Sequence, residues 1–234
     1  MSNRDIFIKN IFSSVASHID FLSSFFSFGM DNAWRRKLIQ VSGIQDGTTV
    51  LDVCTGTGKL AFLLSRQVGA HGAVIGADFC EDMLRIAAGK NNPRTANISF
   101  IISDAKNLSI PDNSFDIVTT AFGMRNIHDT VCALGEVQRV LKPGGRFFCL
   151  ELTTPKISWF FPIYKVYVFK VIPLIGRLIT KTDIPYTYLP KSIETFFSPR
   201  EFRKVMEQIG FHDVTVYPMT LGIATIYGAR KASS

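Results

Sequence analysis

The run TVLDVCTGTGKLA at residues 49–61 decides how this chain reads. Its first half is apolar and β-branched, the composition of a strand buried on both faces. Its second half is a turn with two glycines, which let backbone approach a ligand closely. A helical pattern follows over residues 60–68, so the order is strand, glycine loop, helix. Gly56, Gly58 and Ala61 fit the G-x-G-x-x-G/A spacing of a dinucleotide-binding turn, whose helix N-terminus favours an anion or a carboxylate. Two glycines and a small residue recur by chance, so the flanking chain has to say what the loop holds.

Working outward, the same texture repeats. Strands are expected at 73–78, 98–103, 115–120 and 147–151. Helices are expected around 83–88 and over 131–141, the latter stopped by Lys142-Pro143-Gly144-Gly145. Ser198-Pro199-Arg200-Glu201 reads as a helix start, with Ser as N-cap, Pro at the first helical position and Glu at the third, and Gly210 as a stop. Two closing strands are expected at 214–217 and 223–229. Strands alternating with helices predict an α/β fold, a Rossmann-like, doubly wound, mostly parallel sheet. Residues 1–47 read as an N-terminal helical cap, with Trp34, Leu38 and Val41 at helical spacing beside the basic run Arg35-Arg36-Lys37. Residues 48–151 are the cofactor-binding core, 152–197 an aromatic-rich, irregular insertion, and 198–234 a C-terminal helix with the closing strands.

The chain has 234 residues, 47% hydrophobic and 19% charged, which suits a sizeable core and excludes global disorder. The net charge of +7 admits a nucleic acid, an anionic membrane surface or an anionic cofactor as partner. The basic residues alternate with bulky apolar ones and form no long tract, so nucleic acid is not expected. Cys54, Cys80, Cys132 and Cys149 lack metal-ligand spacing and read as buried, reduced thiols of a cytoplasmic protein. No metal is expected. The opening MSNRDIFIKN carries no apolar stretch of secretory type. Residues 157–179 approach the length of a membrane span, but Lys165, Lys170, Pro162, Pro173 and Gly176 interrupt them, so an interfacial role stays open and a spanning one does not.

In an open parallel sheet, ligands bind beyond the carboxyl ends of the strands. Four features fall there: Asp52 with the loop Thr55-Gly56-Thr57-Gly58, then Asp78 with Phe79, then Asp104-Ala105, then Ala121-Phe122-Gly123. A carboxylate closing the second strand can take both hydroxyls of a ribose, in NAD or in S-adenosylmethionine. Asp52 and Asp104 favour the second, because carboxylates around a pyrophosphate are costly while an ammonium and a sulfonium welcome them. Asp52 can answer the ammonium and Asp104 the adenine amino group. Each aspartate also has a plain structural reading: Asp78 as a helix cap, Asp52 as a partner of loop groups, Asp104 as a turn residue.

These motifs together, VLDVCTGTGKLA, GADFCEDML, SDAKNLSIPDNSFDIVTTAFGMRNI and RVLKPGGRFFCLE, resemble the class I S-adenosylmethionine-dependent methyltransferases. More narrowly, the chain resembles the ubiquinone/menaquinone biosynthesis C-methyltransferases over nearly its whole length. The resemblance rests on Phe12-Ser13-Ser14-Val15-Ala16 with Asp20, on Ser27-Phe28-Gly29 with Trp34-Arg35-Arg36, on Ala121-Phe122-Gly123-Met124-Arg125-Asn126, and on Tyr186-Thr187-Tyr188-Leu189-Pro190-Lys191-Ser192-Ile193. It implies a seven-stranded sheet, a helical lid, and methyl transfer to a ring carbon of a polyprenylated quinol in respiratory quinone biosynthesis. It implies cofactor contacts at Thr57, Asp78, Asp104, Ala105 and Ala121. Departures are Lys59 where Asp is usual, expected to point to solvent, Cys54 where a smaller residue is usual, and Ile19 where Tyr is common.

Such chemistry needs a cationic donor at the phenolic oxygen. Arg125 is the candidate, directly or through a water, with Asn126 orienting the ligand or the backbone; the bland alternative is a salt bridge from Arg125 to Asp104 or Asp129. His128 is a candidate base or a plain surface turn residue. Tyr186 and Tyr188 can bind a quinol hydroxyl or belong to the core. Trp159, Phe160, Phe161, Tyr164, Tyr167 and Phe169, with Lys156, Lys165, Lys170, Arg177 and Lys181 and no acidic residue, suit a bilayer interface or a packed lid. The expectation is a peripheral protein at the inner face of the membrane, with a homodimer admitted. Other acceptors (a small phenol, a sterol, tRNA), a dehydrogenase and a non-enzymatic scaffold are the competing readings.

Overall fold

A computed structural model describes residues 2–90, 97–180 and 184–233. The sheet has seven strands in the order β3-β2-β1-β4-β5-β7-β6. They are β1 (Thr49–Val53), β2 (Ala73–Asp78), β3 (Ile98–Ile102), β4 (Phe115–Ala121), β5 (Leu141–Leu152), β6 (Phe211–Met219) and β7 (Ala224–Lys231). Strands β1 to β5 pair in parallel, and β7 runs antiparallel between β5 and β6. The strand order reverses between β1 and β4, so the carboxyl ends of β1, β2 and β4 open one crevice. This is the α/β class that the alternating pattern implied.

Helices cover both faces. The face under α3 (Met30–Ser42) and α4 (Lys59–Gln67) buries Trp34, Leu38, Leu60 and Leu64 against Val50, Ile117 and Phe148. The other face, under α6 (Thr130–Val140) and α10 (Pro199–Gln208), buries Leu134, Val137, Phe202 and Met206 against Phe147 and Tyr227. The start of α10 is the expected capping box: Ser198 Oγ accepts from the Glu201 amide and Glu201 from the Ser198 amide. The helix α5 (Glu81–Gly89) follows β2 directly. Strand β5 begins earlier than expected. Leu141 already pairs with Phe115, and the Lys142-Pro143-Gly144-Gly145 turn is absorbed as a bulge before Arg146 pairs with Ile117.

Two layers lie over the crevice. The N-terminal layer is α1 (Asn3–Val15), α2 (Ile19–Phe26) and α3, with a left-handed Gly29 (φ 76°) starting α3. The second layer is residues 152–197, which are helical rather than irregular: α7 (Phe161–Val166), a π-helical turn (Tyr167–Val171), α8 (Ile172–Thr180) and α9 (Ile184–Thr195). Leu22 joins Tyr164, Val168, Ile172, Tyr186 and Ile193 in a small core that welds the two layers together. Among the described residues no helix is long and apolar enough to cross a membrane. The four cysteines are free; Cys80 and Cys149 are buried as expected, but Cys132 is exposed on α6.

Candidate active site

A cavity of about 680 Å³ lies between the carboxyl ends of the strands and the two helical layers. Its floor is the glycine loop. Cys54 (φ 56°) and Phe122 (φ 64°) leave β1 and β4 in the left-handed region, a strained conformation for side chains of this size that clusters at functional sites. Gly123 permits this crossing: a Cβ there would sit 2.4 Å from the Cys54 Cβ. Gly56 (φ 57°) has open space where its Cβ would be, so it offers a ligand bare backbone. Gly58 (φ 80°) does not line the cavity; it starts α4, and a Cβ there would strike Phe62.

The aspartates at the strand ends are held by the core itself. Asp52 accepts from the Thr55 hydroxyl at 2.7 Å and the Thr119 hydroxyl at 2.8 Å. Burial pushes its pKa up to about 6, against the pull of those hydroxyls and of Arg35. Asp78 accepts from the Gly56 amide at 2.8 Å and the Cys80 amide at 2.9 Å, so it ties the glycine loop to the turn that leads into α5 without capping the helix itself. Burial raises its pKa too. Asp104 is more open and accepts from the Lys106 amide at 2.9 Å. Phe79, Ala105 and Ala121 line the cavity beside them, as does Thr57, whose hydroxyl donates to Asp20 at 2.6 Å.

Lys59 does not point to solvent. Its Nζ donates to Asp31 at 2.8 Å and Ser24 at 2.9 Å, pinning the N-terminal layer to the start of α4. The reason is electrostatic: Asp31 is buried, and an ammonium beside it removes the cost of an isolated charge. Arg35 shares the same carboxylate at 2.6 Å. Burial would raise the Asp31 pKa, but the two cations outweigh it and hold it low.

Arg125 forms neither of the salt bridges considered for it. Its Nη1 donates to Glu151 at 2.5 Å and to the Phe122 carbonyl at 2.6 Å, while its own amide donates to the second Glu151 oxygen at 3.1 Å. Glu151 is fully buried at the end of the FFCLE run, and its guanidinium partner is the only cation it bonds among the described residues. The Arg125 Nε has no hydrogen-bond partner there. Asn126 donates to the Phe122 carbonyl at 3.0 Å and accepts from the Tyr188 hydroxyl at 3.0 Å. Tyr186 lines the cavity with its ring edge-on to Phe26, inside the core that joins the two layers. His128 is exposed on the turn before α6 and does not line the cavity, so it stands apart from the others.

Sequence reasoning missed Glu151, Asp31 and Arg35 as parts of the site. Each left a trace: a carboxylate closing an apolar strand, and an Asp–Arg pair four apart on the apolar face of a helix beside Trp34. What the residues fit is an adenosyl group joined to an amino acid. The space over Gly56, the buried Asp78 carboxylate beside it, and the buried Asp52 near an arginine with an unpartnered Nε, Arg35, match its uncharged and zwitterionic ends.

The strand order and this site define a class I S-adenosylmethionine-dependent methyltransferase. Solved structures of the same fold include a SAM-dependent methyltransferase from Thermotoga maritima (TM-score 0.67, 19% identity, 96% of this chain and 99% of that one). Another, from Aquifex aeolicus, has a TM-score of 0.63 at 24% identity over 84% and 88% of the two chains. The profile of the ubiE/COQ5 methyltransferase family matches residues 1–231, and the chain belongs to that family. It is 41% identical over 96% of its length to a ubiquinone/menaquinone biosynthesis C-methyltransferase of Geobacter sulfurreducens, covering 88% of that protein. It is 37% identical over 97% of its length to a demethylmenaquinone methyltransferase of Staphylococcus haemolyticus, covering 95% of that protein.

Proposed function

We propose that this chain methylates a ring carbon of a polyprenylated quinol, demethylmenaquinol or a ubiquinol-precursor benzoquinol or both, from S-adenosylmethionine, while seated peripherally on a membrane. The names of the relatives support the acceptor class. The observation that carries the reading is Arg125, held by a fully buried carboxylate in a cavity whose far wall is aromatic and aliphatic.

When bound, S-adenosylmethionine supplies an electrophilic methyl group. Twelve of the candidate residues divide the remaining work. Asp52, Gly56, Thr57, Gly58, Asp78, Phe79, Asp104, Ala105 and Ala121 form or shape the cofactor end. Arg125 stands against a phenolic oxygen of the quinol and favours its anion, which makes the neighbouring ring carbon nucleophilic. It is too basic to accept a proton, so the ring proton displaced by the methyl group leaves to water. Asn126 is a positioning residue, oriented by Tyr188; Tyr186 packs against the ring; His128 serves no step. Fixing donor and acceptor in line can be worth about 7–11 kcal/mol.

The prenyl tail needs a path to lipid. Phe28, Ile163 and Leu221 line the cavity and are also exposed, so its mouth is apolar. The same two helical layers also expose Trp159 (67%), Leu174, Leu178 (74%) and Phe25, with Lys165 over the rings of Phe161 and Phe169. An exposed aromatic and aliphatic patch edged with lysines suits a headgroup layer. Of the basic residues counted there, Lys181 lies outside the described residues.

The test is transfer of label from S-adenosylmethionine in vesicles, with short-chain demethylmenaquinol and the benzoquinol offered separately, each reduced and oxidised. Label on a reduced ring only is the expected result, and the preferred ring identifies the pathway. Cofactor binding with no label on either quinol defeats the acceptor assignment.

A further inference from the structure

Two arginines line the cavity among the described residues, and they flank Phe122. Arg125 donates to its carbonyl; the Arg35 guanidinium lies over its ring, 5.0 Å from the centroid. Arg35 is anchored through Nη1 alone, to the Asp31 carboxylate at 2.6 Å and the Asp31 carbonyl at 3.2 Å. Its Nε is buried with no partner, and among the described residues its Nη2 makes no hydrogen bond either. Nε and Nη2 form the edge of a guanidinium that meets a carboxylate with two parallel bonds.

The charges around it ask for such a group. Asp31 is shared by Arg35 and by Lys59, so this corner holds two cations against one carboxylate. Asp20, near by, is taken by Lys90 and by the Thr57 hydroxyl. Asp52 is close enough to Arg35 for each to influence the other's ionisation, and it carries negative charge into the same end of the cavity. Arg35 itself is 6% exposed, and burial depresses its pKa while Asp31 opposes that. An excess positive edge beside a buried carboxylate is complementary to an α-amino acid, with its carboxylate on one and its ammonium on the other. The geometry points to Arg35 as the residue that grips the α-carboxylate of S-adenosylmethionine, through Nε and Nη2, with Lys59 freeing it by neutralising Asp31. This assignment rests on the cofactor assigned above.

The experiment is a cycle between residue and ligand group, read by calorimetry on wild type and Arg35→Gln. The ligands are S-adenosylhomocysteine and its decarboxylated analogue S-adenosyl-3-thiopropylamine, which keeps the ammonium and lacks the carboxylate. Wild type is expected to prefer S-adenosylhomocysteine by about 10- to 100-fold, the worth of hydrogen bonds to a charged group. In Arg35→Gln that preference falls to within about threefold, while the affinity for the analogue holds. A purely structural role for Arg35 lowers both affinities together and overturns the proposal. The wild-type arm stands even if the variant does not fold: equal affinity for the two ligands overturns the proposal and leaves methyl transfer untouched.

Discussion

At the strand ends, Asp52, Asp78 and Asp104 are each held by hydroxyls or amides of the core, and the loop beneath them is fixed by backbone in unusual conformations. The opposite wall has few polar anchors; it is aromatic, packed through Leu22, Tyr164 and Tyr186, and continues outward into exposed apolar side chains. The first region is built for a ligand of fixed shape and charge. The second tolerates a long, repetitive, apolar one. Arg125 sits at their seam, its side chain reaching the cavity while both Glu151 oxygens hold it to β5.

That difference can be broken at defined points. Glu151→Gln removes the carboxylate from a buried pair and should cost about 3–5 kcal/mol of stability, because Arg125 is left uncompensated. Turnover should fall with it, yet affinity for S-adenosylhomocysteine should stay within a few-fold; chemical denaturation and calorimetry read the two. Asp52→Asn should act in the opposite sense on stability. Burial makes the folded protein hold the Asp52 proton more tightly than the unfolded chain does, so ionising it costs stability as pH rises from about 4 to about 6, and the cost persists above. The variant should gain about 2–3 kcal/mol at pH 7.5 without ligand, and the gain should vanish toward pH 4. Its cofactor affinity should drop.

Asp78→Asn keeps an acceptor for one of the two amides but loses the charge that the proposed reading sets against a ribose, and should weaken S-adenosylhomocysteine about 10- to 100-fold by titration. The smallest effect belongs to the outer wall. Trp159→Ser combined with Leu178→Ser should lower partition into anionic vesicles roughly tenfold in a sedimentation assay, with cofactor affinity unchanged. Loss of cofactor affinity there would mean that the two regions are not separable.

The strands were legible because each is a short apolar run between turn residues, and β1 and β2 fall where that pattern put them. The insertion was not, because its helices are apolar on both the packed and the exposed side and carry Pro162, Pro173 and Pro190, which mimic loop punctuation. The strand-end aspartates were legible for the same reason as the strands. Their long-range partners were not: nothing local in the chain links Arg125 to Glu151 or Lys59 to Asp31, and Lys59 looked solvated until the N-terminal layer closed over it. Spacing reveals where a charged group lies along an element, whereas the group that neutralises it is chosen by the tertiary fold.

The most direct test of a cavity divided in this way is to measure S-adenosylhomocysteine affinity and the single-turnover rate of quinol methylation at saturating cofactor, side by side, in Arg125→Lys and Arg35→Gln. Arg125→Lys should keep the affinity and lose about 100-fold in rate, since an ammonium can answer Glu151 but has no second edge for the phenolic oxygen. Arg35→Gln should lose affinity and keep most of the saturated rate. If both variants lose both quantities in proportion, the two arginines serve one undivided site and the account is wrong.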